Sequence, residues 1–199
     1  MAISATLGLL ALIILVTPVL CRLVGRASGW ILGLGYLGAA ALFMPAAVAA
    51  VQDGSAFPTA QETVWTLEWM PSFDVNLAFA VDGVGAIFTL IALVIGAFVL
   101  FYSTRYLSQG PNYSFYLLMA TFTFAMVGLV LTDNLFVLFV CWEITSIASF
   151  MLIARSGRAA EGASLRTMFM TFMGGVLLLV AVSAMYGVVG SASCLLYTS

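Results

Sequence analysis

Six apolar runs leave this chain few ways to fold: about Ala2 to Leu20, Trp30 to Ala50, Gly83 to Tyr102, Phe115 to Leu131, Leu135 to Ala154 and Met168 to Val189. Each is close to the roughly 20 residues with which a helix crosses about 30 Å of hydrocarbon, and each is too long for a sheet strand. In lipid, a lone segment can satisfy its own backbone N–H and C=O groups only as a helix. The expected fold is therefore all-α, a polytopic transmembrane bundle of about six spans. The composition agrees: 64% of the residues are hydrophobic and 7% charged, with a mean hydropathy of +1.19. A soluble domain has about 45–50% apolar and about 25% charged residues. We expect a multi-pass protein of the cell membrane, embedded in the lipid bilayer. Six arginines spread over separate loops form no basic stripe, so nucleic acid is not an expected partner.

The charges set the orientation. Arg22 and Arg26 follow the first span, Arg105 the third, and Arg155, Arg158 and Arg166 the fifth, and there is no lysine. These are alternate loops and hence one side, which the positive-inside rule makes cytoplasmic. Asp53, Glu62, Glu68, Asp74 and Asp133 fall in the opposite loops. The N-terminus is accordingly expected outside. The first run has no basic residue before it and arginines after it, the reverse of a secretory signal, so it reads as a retained span.

Only the outer segment from Gln52 to Asp82 is long without spanning. In it Phe73, Val75, Leu77, Phe79 and Val81 alternate with polar or small residues, and Trp65, Leu67 and Trp69 alternate more weakly before Pro71-Ser72. Period two is the signature of half-buried strands, which predicts a short extracytoplasmic β-hairpin between spans 2 and 3. The competing reading is irregular chain held by Trp65 and Trp69 in the headgroup layer.

Within the fifth run stands Glu143, with no other charge between Asp133 and Arg155. A carboxylate at that depth costs at least about 3 kcal/mol, and such residues usually bind or move an ion. On a helix, Phe139, Ser146, Ile147 and Phe150 share its face. Desolvation without a nearby cation disfavours the charged form of a carboxylate, which lets an acid so placed take up and release a proton. Ser146 is the candidate to hydrogen-bond or hydrate it, whereas Thr145 and Ser149 are read as bonding back to their own helix. The bland reading is a carboxylate that merely ties span 5 to a neighbour, at a desolvation cost that a neutral residue would avoid.

Other polar positions invite structural roles first. Asp82 precedes Gly83 at the start of span 3, where an acid caps free N–H groups and suits the helix dipole; ion entry is its alternative. Asp133-Asn134 forms the tight outer turn before span 5 and is read in the same way, Asp133 included. Gly29, Gly33, Gly35 and Gly38, and the pair Gly174-Gly175, are read as close-packing positions between helices. Cys21, Cys141 and Cys194 lack CxxC spacing and histidine is absent, so no metal site, haem or other cofactor is expected.

Four motifs carry a resemblance: Asp82-Gly83 opening span 3, Tyr102-Ser-Thr-Arg-Tyr-Leu107 closing it, Thr132-Asp-Asn-Leu135, and Trp142-Glu-Ile-Thr-Ser-Ile-Ala-Ser149. From Asp82 onward the chain resembles the proton-translocating antiporter-like family, which includes the large subunits of Mrp-type sodium/proton antiporters and membrane-arm subunits of respiratory complex I. The Ile-Thr-Ser after Glu143, with Gly162-Ala-Ser-Leu-Arg166 and Thr171-Phe-Met-Gly-Gly175, resembles the Mrp side of the family. The resemblance implies that Glu143 is the span-5 glutamate that passes protons together with a lysine in a later span. It also implies a hetero-oligomeric membrane complex with other antiporter subunits, exchanging protons for a monovalent cation, sodium in the first instance. The chain departs from the family in ending after six spans and in lacking lysine, so we expect an N-terminal fragment whose basic partner lies beyond it. Residues 1–81 would then be two spans plus the outer loop, and 82–199 the start of the translocation core. A proton-pumping subunit of complex I and a transport-inactive scaffold are the alternatives.

Overall fold

The computed structural model describes residues 2–52, 65–70, 75–107, 112–155, 157, 160–190 and 193. Six helices account for most of them: α1 (Ala2–Val24), α2 (Ser28–Gln52), α3 (Gly83–Tyr106), α4 (Tyr113–Leu131), α5 (Leu135–Ala154) and α6 (Glu161–Val189). All six are long and apolar enough to cross a membrane. Two strands, β1 (Trp65–Met70) and β2 (Val75–Phe79), lie between α2 and α3.

Helices α1 to α4 close into a ring in which α1 packs on α2, α2 on α3, α3 on α4 and α4 back on α1. Its interior holds Leu10, Tyr36, Phe43, Leu93, Leu100, Val127 and Leu131, all fully buried. Close approach is enforced where a helix presents a glycine. At Gly96 a Cβ would lie 2.9 Å from the Tyr36 ring, so α3 meets α2 there only because no side chain intervenes. Helix α5 packs outside the ring against α4, and α6 packs on α5. Of the residues of α5 only Val137 and Ala148 are fully buried.

Helix ends extend beyond the apolar runs. α1 continues to Val24 and α3 to Tyr106, carrying Arg22 and Arg105 in their last turns. α6 starts at Glu161, seven residues before the expected Met168. The backbone keeps its helical bonds across the interface while exposed arginine stems reach back toward water, so polarity alone does not end a span. At 29 residues α6 is about 43 Å long and overhangs the hydrocarbon.

The hairpin forms as the alternation predicts. Trp65 pairs with Phe79, Leu67 with Leu77 and Met70 with Val75, antiparallel, with an irregularity between Glu68 and Met70. Phe73, Asp74 and the Pro71-Ser72 turn lie outside the described residues, as do Asp53, Glu62, Arg158 and Cys194. β2 also docks on the turn between α4 and α5. Ala80 N–H donates to Leu131 O at 2.8 Å, Asp133 N–H donates to Ala78 O at 2.8 Å, and the Thr132 hydroxyl donates to Ala78 O at 3.2 Å.

Candidate functional site

Glu143 is the ninth residue of α5, about 12 Å along the helix from its outer end. It is half-buried and faces α6. Its carboxyl sits directly against Gly175: a Cβ built there would fall onto Oε1 and lie 3.0 Å from Cδ. Oε1 is shut off from the surface and has no hydrogen-bond partner among the described residues. A buried carboxyl oxygen without a donor is costly, and such groups call for a functional reason.

The neighbouring hydroxyls do not supply that donor. Ser146 Oγ donates to Trp142 O at 3.1 Å, and Thr145 Oγ1 donates to the same carbonyl at 2.7 Å. Both therefore bond back along their own helix, the role expected for Thr145 but not for Ser146. Ser146 stands one turn further in, on the Glu143 face, with its oxygen able to accept. Arg155, at the inner end of α5, donates to Ser114 Oγ and, at 3.5 Å, to Asn112 Oδ1, which ties it to the start of α4 rather than to Glu143.

The two outer acids are held in place by backbone work. Asp82 caps α3, its Oδ1 accepting from Gly85 N–H at 2.7 Å. Asp133 is not the cap of α5. Asn134 takes that place, its Oδ1 accepting from Phe136 N–H at 2.9 Å and Val137 N–H at 3.3 Å. The Asp133 backbone is drawn onto β2, which points its buried side chain elsewhere, and Oδ2 accepts from Ser193 Oγ at 2.7 Å. Asp82 and Asp133 thus gather at the outer end, a helix half-length from Glu143. Sequence reasoning read Gly175 as a close-packing position, which its contact with Glu143 bears out, but gave no sign that its neighbour would be the acid. Ser193 it did not single out at all.

Two outcomes follow. Asp82→Ser keeps a cap acceptor but removes the charge, so thermal stability changes by less than about 1 kcal/mol. Asn134→Ala lowers stability by about 1 kcal/mol in a thermal-unfolding assay, because two N–H groups at the start of α5 lose their acceptor.

The bundle defines a polytopic membrane protein carrying a mid-span acid. Residues 65–117 match the family described as "NADH-Ubiquinone oxidoreductase (complex I), chain 5 N-terminus". Residues 132–196, which include Asp133, Glu143 and Gly175, match "NADH:quinone oxidoreductase/Mrp antiporter, TM". Among curated proteins, the "Putative antiporter subunit mnhA2" of Staphylococcus haemolyticus is 38% identical over 131 residues, 63% of this chain and 16% of that protein. A chain in the Mrp complex of Dietzia sp. DQ12-45-1b superposes with a TM-score of 0.82 at 36% identity, covering 97% of this chain and 20% of that one. A chain of respiratory complex I from Thermus thermophilus shares the fold, with a TM-score of 0.69 at 21% identity over 94% of this chain and 38% of its own. The two matched regions place the chain in the family of membrane subunits common to complex I and Mrp antiporters, and its sequence is similar to that of Mrp antiporter subunits. It spans only 16% of the length of the curated relatives it matches.

Proposed function

We propose that this chain is part of one subunit of a multisubunit monovalent cation/proton antiporter in the cell membrane, and that Glu143 is its proton carrier. The observation that carries the reading is the partnerless Oε1 of Glu143, held midway along a spanning helix. The two forms of an acid there make different demands on its surroundings. Protonated, it is neutral and suited to its apolar surroundings; charged, it demands water or a cation, so losing the proton is tied to a change in what surrounds it. Ser146, one turn inward, accepts a hydrogen bond from the protonated carboxyl or from a water on its way to it. The cation driven against the proton is sodium in this reading, and the other subunits of the complex complete the path. Residues 82–199 open the translocation core and residues 1–81 precede it. Asp82 and Asp133 shape the outer end and carry no proton.

The Mrp reading is favoured over the redox-driven one by 36% identity to the Mrp chain against 21% to the complex I chain. The test is proton/sodium exchange in vesicles by the full-length protein in its assembled complex, with Glu143→Gln against wild type. Wild-type exchange in the variant would remove Glu143 from the proton path.

A further inference from the structure

Gly174 and Gly175 are adjacent and, read in sequence, equivalent. The fold separates them. Nothing lies within 4 Å of a Cβ placed on Gly174, whereas one placed on Gly175 would occupy the space of the Glu143 carboxyl.

Two further contacts hold α5 and α6 in the register that causes this. Near the inner end Ser164 Oγ donates to Phe150 O at 3.0 Å. Near the outer end Phe136 and Tyr186 meet edge to face with ring centroids 5.6 Å apart. Along α5 the contacting residues are 150, 143 and 136, steps of seven; along α6 they are 164, 175 and 186, steps of eleven. Seven residues make about two helical turns and eleven about three, so each set lies on one face of its helix. Glu143 and Gly175 are the middle pair, and contacts on both sides oppose sliding of α6 to bring Gly174 or another residue opposite the acid.

We infer that Gly175 is a positioning residue: its missing side chain is the seat that keeps the Glu143 carboxyl at the α5–α6 interface. This rests on Glu143 being the proton carrier for its effect on transport, but not for its effect on the carboxyl's surroundings. An alanine at 175 forces the carboxyl to another rotamer, away from its place, or pushes α6 off α5. A displacement of about 1 Å at a reacting group costs up to about 100-fold in rate. Shortening the acid restores the room, since Glu143→Asp withdraws the carboxyl by about one C–C bond, roughly 1.5 Å.

The test uses the full-length protein in its complex, with exchange normalised to the amount of assembled complex in the vesicles. Gly175→Ala lowers exchange on the order of 10- to 100-fold, Gly174→Ala leaves it unchanged, and Gly175→Ala combined with Glu143→Asp exchanges faster than the product of the two single effects. Independently, the carboxyl C=O stretch assigned to Glu143 by its loss in Glu143→Gln moves in the infrared spectrum of Gly175→Ala and stays in Gly174→Ala. Equal effects of the two alanines, or an unmoved carboxyl band in Gly175→Ala, overturn the seat even if Glu143→Gln has abolished exchange. Conversely, a shifted band in a protein whose Glu143→Gln variant still exchanges upholds the seat and removes the proton-carrier reading. If Gly175→Ala fails to assemble, the double variant decides: assembly regained with Glu143→Asp supports the seat, and assembly still absent overturns it.

Discussion

Proton/sodium exchange by the Glu143→Gln variant falls by about 100-fold or more, the scale on which a positioned proton-transfer group contributes, while the amount of assembled complex stays at the wild-type level. Glutamine is nearly isosteric, so it enters the space beside Gly175 without a new clash. It removes the ionisable proton and nothing else of size. Fold stability should not suffer, because the partnerless Oε1 becomes part of a neutral amide, whose burial costs less than that of a charge. Loss of transport with unimpaired assembly therefore isolates proton chemistry from packing. Glu143→Asp gives the complementary outcome: an ionisable group remains but retreats from α6, and exchange is reduced rather than abolished. The measurement is a sodium-jump assay in vesicles with a pH-sensitive dye, normalised to complex content. Wild-type rates in Glu143→Gln would leave the acid a structural one.

Gly29→Ala produces the largest expected loss of stability, about 1–3 kcal/mol, the cost of forcing a methylene into a packed interior. A Cβ there would approach the Thr104 side chain and lie 2.9 Å from both Leu100 O and the Tyr116 hydroxyl. One of those neighbours is backbone in α3 and another is a buried ring from α4, so no flexible tip can yield. Gly38→Ala on the same helix is the matched control. Nothing lies within 4 Å of its Cβ, so the substitution is neutral or gains up to about 1 kcal/mol from better helix propensity. Thermal unfolding of the purified complex separates the two; equal melting temperatures would mean that α2 does not depend on close approach at Gly29.

That contrast marks the limit of what is readable without the fold. Gly29 and Gly38 look alike in sequence, as do Gly174 and Gly175. The spans themselves are plain, and apolarity places those of α4 and α5 within two residues at each end. The early start of α6 is hidden because Glu161 and Arg166 have the polarity of a loop, although a helix at the interface tolerates charged residues whose stems reach water. The hairpin is legible in its period-two alternation, which the antiparallel pairing of β1 with β2 follows. Its docking on the α4–α5 turn is not legible, and that docking explains why Asp133 faces Ser193 and leaves the cap to Asn134.

Sequence alone marks six helices long and apolar enough to cross the membrane, predicts which way they run, and shows that one acid stands far from any charge in its span. Those properties follow from local rules: lipid leaves the backbone no other solution, arginines stay inside, and a carboxylate is conspicuous in hydrocarbon. Tertiary structure alone decided which glycine lies against that acid and that β2 docks on the α4–α5 turn, where Asn134 caps α5 and Asp133 meets Ser193. The reason is that a spanning helix is apolar all round, since lipid is as apolar as a protein interior. The amphipathic stripe that reveals the inward face of a soluble helix is therefore absent. Rotation and axial register between α5 and α6 come from paired contacts such as Ser164 with Phe150 and Tyr186 with Phe136. Those pairs exist only once both helices are in place.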